Sequence, residues 1–432
     1  MEPSRYPLAQ LADQVGTPFF LYDAGVLRAN LGALADLAAS APASSSAQVQ
    51  VRYAMKANSA RKVLELVRAA GLWIDAVSGN EVLRAARAGF PMGANPPVVM
   101  LTADVFRDNA LTVVLERGIL PNLGSPGMFR HLAGAGYRGP VAVRANPGFG
   151  HGHVQSCDTG GPSSKHGIWH EDLGEARRLA ADVGLPIVSL HAHIGTGAAL
   201  GEFDANMRRL IDFYAAILPQ FPDVAAVNFG GGIPHPYRPG KPRYELASYQ
   251  PILRDAVARF SGVAGRPIRV EIEPGRFPVA GMGLLVCRVH DIKTTATNTK
   301  GTGQTFVMVD AGFNDLVRPA MYGAYHHITV IGAGQDRPLE PLVVAGPLCE
   351  SGDVFTRDAH ELLDPRPLPR PEVGDLLVLH DAGAYAASMS SNYVSLGRIP
   401  QVLWDEGAAT LIARRETVED LVRTECDEPL PL

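Results

Sequence analysis

A lysine, an acid and a run of glycines stand where the chain passes from one local pattern to another. Lys56, in Tyr53-Ala-Met-Lys-Ala-Asn58, closes an apolar run. Partial loss of water there would leave a neutral, nucleophilic amine, although a lysine snorkelling to the surface suits the same spacing. Gly230, Gly231 and Gly232 follow Val227-Asn228-Phe229. Successive glycines let backbone N–H groups close on an anion such as a phosphate, and they also make ordinary tight turns. Glu273-Pro274-Gly275-Arg276 sets a carboxylate three residues before a guanidinium. A local salt bridge would explain the charges but not an acid ending an apolar run. His191 and His193 alternate as residues on one strand face do, which is half of a metal site, yet no clear third ligand lies nearby. A flat imidazole against an aromatic cofactor suits His193 at least as well. Later in the chain, Cys349-Glu350 could form a proton-donor pair, while the plainer reading is a buried thiol. Arg318 and Tyr322, in Arg318-Pro-Ala-Met-Tyr322, could bind a carboxylate or form a structural ion pair.

These residues need elements to position them. Eight short apolar runs read as strands: Val51–Met55, Trp73–Val77, Val98–Leu101, Ile119–Leu123, Val141–Ala145, Ile187–His193, Ala225–Phe229 and Ile268–Glu273. Between them, Arg61–Ala70, Glu81–Ala88, Val105–Arg117, Met128–Ala135, Leu173–Val183, Phe203–Leu218 and Tyr249–Phe260 carry apolar residues at helical spacing. Strands alternating with helices pair in parallel, and eight such units predict a (β/α)8 TIM barrel. Lys56, Asp75, Ser78, Arg144, His193, the glycine run, Glu273 and Arg276 all fall at C-terminal strand ends, the rim where a barrel carries its chemistry.

After Arg276 the pattern turns to strands: Leu284–Val289, Thr305–Val309, His327–Ile331, Leu342–Val344, Asp375–Leu379, Val402–Trp404 and Ala409–Ala413. The expected organisation is an α/β barrel over 31–280, a C-terminal β-rich domain over 281–432, and an N-terminal segment, 1–30, packing on the β domain. The stretches Asp364–Pro371 and Ser44–Ser46 read as surface loops. A last helix begins near Thr417, with Thr417 and Asp420 as a capping pair.

A formal charge of −5 argues against a nucleic-acid or anionic-membrane binder and leaves a small molecule as the expected partner. The four cysteines, Cys157, Cys287, Cys349 and Cys426, form no CxxC pair and suggest neither disulfides nor a zinc site. No signal-peptide pattern or membrane-length apolar run is apparent, so the cytoplasm is the expected location.

Taken in this order, the motifs resemble those of the pyridoxal-phosphate-dependent group IV (fold type III) decarboxylases, whose alanine-racemase-like barrel precedes a β domain. Within that group the chain resembles the diaminopimelate decarboxylase family over Asn146–His153, Gly160–Trp169, Asp310–His327, Gly346–Phe355 and Asp381–Tyr393. The resemblance implies decarboxylation of meso-diaminopimelate at its D-centre, giving L-lysine. It implies that Lys56 binds pyridoxal phosphate covalently, with Asp75 near that link, and that Glu273 pairs with the pyridine nitrogen while His193 stacks on the ring. Thr196, Gly230, Gly231, Gly232, Gly275, Arg276 and Tyr385 would surround the phosphate. Arg276, Arg318, Tyr322, Glu350 and Tyr385 would contact substrate. It further implies a homodimer with shared active sites, in which Cys349 and Glu350 come from the other subunit and Cys349 donates a proton. Thr196 stands where the family often has serine, and His166 where it often has phenylalanine. Leu101-Thr-Ala-Asp104 replaces a common His-Gly-Asn-Asn-Lys segment, and these departures leave the implied catalytic set intact. A decarboxylase of a basic amino acid is the nearest alternative, and a non-catalytic pyridoxal-phosphate-binding paralogue is the other.

Overall fold

Runs of Val, Ile and Leu flanked by helical segments build the larger part of this computed structural model, which describes residues 1–40, 48–150, 159–197, 199–332 and 337–430. Ser44–Ser46, His151, His153 and Cys157 lie outside the described residues. The chain divides into two compact units. One comprises Leu27–Pro236 and Lys241–Val279, the other Met1–Val26, Tyr237–Gly240 and Ala280–Leu432.

In chain order, β1 (Phe19–Asp23) belongs to the second unit. The first unit holds β2 (Val49–Ala54), β3 (Trp73–Ala76), β4 (Val99–Ala103), β5 (Leu120–Leu123), β6 (Val141–Asn146), β7 (Ile168–Trp169), β8 (Ile187–His191), β9 (Ala226–Asn228) and β10 (Arg269–Ile272). Eight of these pair in parallel as a closed ring, β2-β3-β4-β5-β6-β8-β9-β10, and β10 returns to β2 with Val270 opposite Val49. The short β7 adds outside β6. Helices Arg61–Ala69, Gly79–Arg87, Ala110–Arg117, Pro126–Gly134, Leu173–Asp182, Leu200–Ile217 and Leu246–Ala264 form the crossovers. All eight expected strands are therefore present within a few residues of their expected bounds, as are the seven helices. Ser78 caps its helix, accepting from the Glu81 N–H at 3.1 Å, so its place on the rim has a structural cause.

Where β10 closes on β2, Arg52 and Glu271 are buried together. Arg52 Nε and Nη2 donate to the two Glu271 oxygens at 2.7 and 3.2 Å, and Nη1 donates to the Val98 carbonyl at 3.0 Å. Burial alone would raise the Glu271 carboxyl. Arg52 and Arg269 overcome it and bring it down to about 2.

The second unit adds β11 (Gly283–Thr294), β12 (Thr305–Val309), β13 (Ile328–Ile331), β14 (Leu339–Ala345), β15 (Arg366–Pro369), β16 (Leu376–Leu379), β17 (Gln401–Asp405) and β18 (Ala408–Ala413). Its sheet runs β15-β14-β12-β11-β1-β17-β18, with β16 joining β11 to β13. N-terminal residues Tyr6, Leu8, Leu11, Phe19 and Leu21 pack with Leu284, Val286, Val378 and Val402. The Asp364–Pro371 stretch is not simply a loop. Arg366–Pro369 pairs antiparallel with β14, at the edge of the sheet where a missing proline N–H is tolerated. Thr417 caps the helix Val418–Val422, and its N–H donates to Asp420 at 2.9 Å.

Candidate active site

The barrel rim is organised by two buried acids. Glu273 follows β10 directly and is 5% exposed. His191 Nε2 lies 3.0 Å from one of its oxygens, and the Asn228 amide donates to the other at 2.7 Å. Burial raises the Glu273 carboxyl. The charge and hydrogen bond of His191, with Arg52 and Asn228 behind them, outweigh that and hold it below its ordinary range. Asp75, on β3, goes the other way. Burial first, then repulsion from Glu273, pushes it well above the carboxylate range, against the attraction of Lys56 and the Thr102 hydroxyl. Thr102 donates to it at 2.6 Å, and Asn122 donates to Thr102 at 3.2 Å. The rim thus carries one acid poised to be ionised and one poised to hold its proton, the separation that acid–base sites exploit.

The glycine run is shaped by close approach. Gly230 and Gly232 have φ of +65° and +117°. A Cβ on Gly230 would come within 2.6 Å of His193 Cβ, and one on Gly231 within 2.5 Å of the Glu273 carbonyl oxygen. Bare backbone is required here, against the ends of β8 and β10. The Gly230 N–H is already used by Asn228 Oδ1 at 2.8 Å. Lys56 sits in the single turn Met55–Ala57 after β2. It is exposed, which agrees with a lysine reaching the surface and not with one partly stripped of water. His193, Thr196 and Arg276 are half-buried on the same rim segments.

Arg144, buried on β6, faces a pair that sequence reasoning missed. His166 Nδ1 lies 2.8 Å from Asp104 Oδ2, Gly167 N–H donates to Asp104 Oδ1 at 3.3 Å, and Arg144 Nη1 is 3.5 Å from the same His166 nitrogen. The two departures from the family pattern are therefore one contact. His191, Asn228 and Thr102 were likewise not singled out for these roles. The histidine alternation was the one available signal, and it suited half a metal site or an imidazole set against a cofactor. His191 instead serves Glu273, and among the described residues no three His, Cys, Asp or Glu side chains gather as metal ligands.

Gly275 is buried beside Arg276, and the remaining candidates lie in the second unit. Cys349 is exposed, which overturns the buried-thiol reading; Cys287 is the buried one, its thiol pushed up by burial. Glu350 is exposed and accepts from the Tyr393 hydroxyl at 2.5 Å. Their turn is fixed by buried Asp353, which accepts from the N–H groups of Leu348 and Phe313 at 2.8 and 2.7 Å. Arg318, 3% exposed, opens the helix Arg318–Tyr322, and Tyr322 is half-buried. Tyr385 is held at φ +56°, a strained backbone of the kind that clusters at functional sites.

Pyridoxal phosphate is served by an amine, by an ionised acid at its ring nitrogen and by backbone bare of side chains at its phosphate. Lys56, Glu273 and the glycine run fit that requirement in chemistry and in packing. Barrel and rim together fit a pyridoxal-binding protein of the barrel type. Residues 35–280 match the family described as pyridoxal-dependent decarboxylase, pyridoxal binding domain. The chain is 43% identical to the diaminopimelate decarboxylase of Streptomyces coelicolor over 98% of its own length and 92% of the relative's. It is 40% identical to that of Escherichia coli K12, with 97% and 96% covered. A crystal structure of diaminopimelate decarboxylase matches with a TM-score of 0.87 at 40% identity, covering 96% of this chain and 95% of that one. The Helicobacter pylori diaminopimelate decarboxylase complexed with L-lysine matches with a TM-score of 0.82 at 27% identity, covering 96% and 98%. The chain belongs to the diaminopimelate decarboxylase family.

Proposed function

We propose that the chain removes the carboxylate at the D-centre of meso-2,6-diaminopimelate, giving L-lysine and carbon dioxide, in the cytoplasm and as a homodimer. The observation that carries this reading is the buried Glu273 carboxylate, held ionised between His191 and Asn228 at the end of the last barrel strand. A carboxylate so held keeps a proton on a ring nitrogen. When bound, pyridoxal phosphate supplies an electron sink for the pair left on Cα as carbon dioxide departs.

The barrel, 31–280, is the cofactor-binding domain and 281–432 the β domain. Lys56 Nζ would hold the cofactor covalently, and Asp75 would lie near that link. His193 would pack against its ring. Gly230, Gly231, Gly232, Thr196, Gly275 and Arg276 would hold the phosphate, and Tyr385 is the further candidate for it. Arg276, Arg318 and Tyr322 hold the distal carboxylate, so the L-centre is recognised and not attacked. Cys349, from the partner subunit, would hold the proton that Cα receives, and Glu350 beside it would contact the substrate.

Borohydride reduction followed by peptide mapping should fix the cofactor on Lys56. Assays of meso-diaminopimelate beside ornithine, lysine and arginine should give turnover with the first alone. Cofactor on another lysine, or preference for a basic amino acid, would overturn the reading.

A further inference from the structure

The buried Arg318 is gripped by a histidine that the reading above leaves without a role. Arg318 Nη1 lies 2.9 Å from Nε2 of His326, and Nδ1 of His326 lies 2.7 Å from the main-chain carbonyl oxygen of His380. A guanidinium can only donate and a carbonyl can only accept. His326 must therefore be neutral, with its proton on Nδ1 and its lone pair turned to Arg318. That assignment follows from the partners on both sides of the ring.

The grip is stiff. His326 is 3% exposed and stands just before β13, whose Ile328 pairs with Leu379 of β16. The His380 N–H donates to the His327 carbonyl at 2.8 Å, which continues that ladder past His326. Tyr237 completes the enclosure. Arg318 Cζ lies 4.6 Å from its ring centroid, and the His326 ring meets it edge-on at 5.4 Å and 69°. A carboxylate in the place of His326 would orient the guanidinium but oppose its charge, whereas a neutral imidazole orients it without doing so.

We propose that His326, braced by the His380 carbonyl and flanked by Tyr237, is the positioning residue that aims Arg318 at the distal carboxylate of the substrate. His326 thereby sets selection for a ligand that carries one. The proposal rests on the assignment of Arg318 made above and deepens it.

The test uses the full-length enzyme with cofactor bound and the variants His326→Ala, His326→Gln, Arg318→Ala and the Arg318→Ala/His326→Ala pair. Steady-state constants for meso-diaminopimelate are read beside calorimetric binding of L-lysine, which keeps the distal carboxylate, and of cadaverine, which has none. A hydrogen bond to a charged group corresponds to about a tenfold effect or more. His326→Ala should raise KM and weaken L-lysine binding by about that factor, with kcat, the cofactor absorbance and cadaverine binding little changed. Glutamine, which can accept from Arg318 and donate to the His380 carbonyl, should recover most of the loss. The double variant should be no worse than Arg318→Ala, because both changes remove one function. Should His326→Ala not fold, His326→Asn serves in its place: its amide reaches the His380 carbonyl but falls short of Arg318, and the same KM and L-lysine losses are expected. A lowered melting temperature with normal KM and L-lysine affinity, or an equal loss of cadaverine, would overturn the proposal. If Arg318→Ala raises KM while His326→Ala does not, the positioning role alone fails. If Arg318→Ala itself leaves KM unchanged, the assignment of Arg318 fails with it.

Discussion

Glu273 is the residue on which the barrel's chemistry turns, and its state depends on neighbours rather than on itself. His191 and Asn228 each hold one oxygen, and burial would otherwise protonate the acid. Replacing it by glutamine keeps the shape and both neighbours but removes the charge that would retain a proton on the cofactor nitrogen. Glu273→Gln should lower kcat by roughly a hundredfold or more, the scale of a lost proton-handling group. Cofactor content, read from visible absorbance, should stay near that of the parent, because the lysine and phosphate ligands are untouched. A variant with near-normal kcat would remove Glu273 from the mechanism.

At the scale of elements, the weakest joint of a barrel is where its last strand meets its first. Here β10 and β2 carry Glu271 and Arg52, both fully enclosed. Arg52→Ala would leave the carboxylate to Arg269, whose Nε donates to it at 2.8 Å, so the loss should fall below the roughly 3–5 kcal/mol of a buried pair broken outright. A clear fall in the denaturation midpoint is expected, measured by chemical unfolding at pH 7. The pH dependence has a definite sign. The folded carboxyl sits at about 2 against an ordinary 4.5, so its contribution to stability is present above about pH 4.5 and is lost as pH falls toward 2. Melting temperature should decline through that window in the parent. In Glu271→Gln the decline should be shallower, from a lower starting point. An unchanged slope would mean that this pair does not govern acid stability.

At the scale of the whole molecule, the candidate residues are divided between two units. Lys56 and Glu273 belong to one, Cys349 and Glu350 to the other. If a two-fold dimer shares its sites, inactive Lys56→Ala and inactive Cys349→Ala subunits should complement each other. Random exchange at equal amounts makes half the dimers mixed, each with one intact site of two, so activity should return to about a quarter of the parent. A mixture that stays inactive while labelled subunits demonstrably exchange would place each site within one chain.

Sequence by itself determined the barrel and the residue types on its rim. Each strand is a local apolar run between turn residues, each crossover has helical spacing, and the C-terminal ends follow once the strands are parallel. Lys56, Asp75, His193, the glycine run and Glu273 were legible for that reason, as was the cap at Thr417. Tertiary structure alone decided what those residues touch. His191 meets Glu273 across 82 positions, Asn228 meets it across 45, and Thr102 reaches Asp75 across 27. Asp104 and His166, read separately as departures from a pattern, are in contact across 62. The short strand Phe19–Asp23 gave no signal of its place between partners at Gly283–Val286 and Gln401–Trp404. Such pairings are made by ring closure and sheet order, which bring distant segments together, and no local periodicity encodes that distance. Desolvation followed the same rule. A strand-end lysine reads as partly desolvated or as snorkelling and Cys349 as core, yet both are exposed, because accessibility depends on what the rest of the fold lays over a residue.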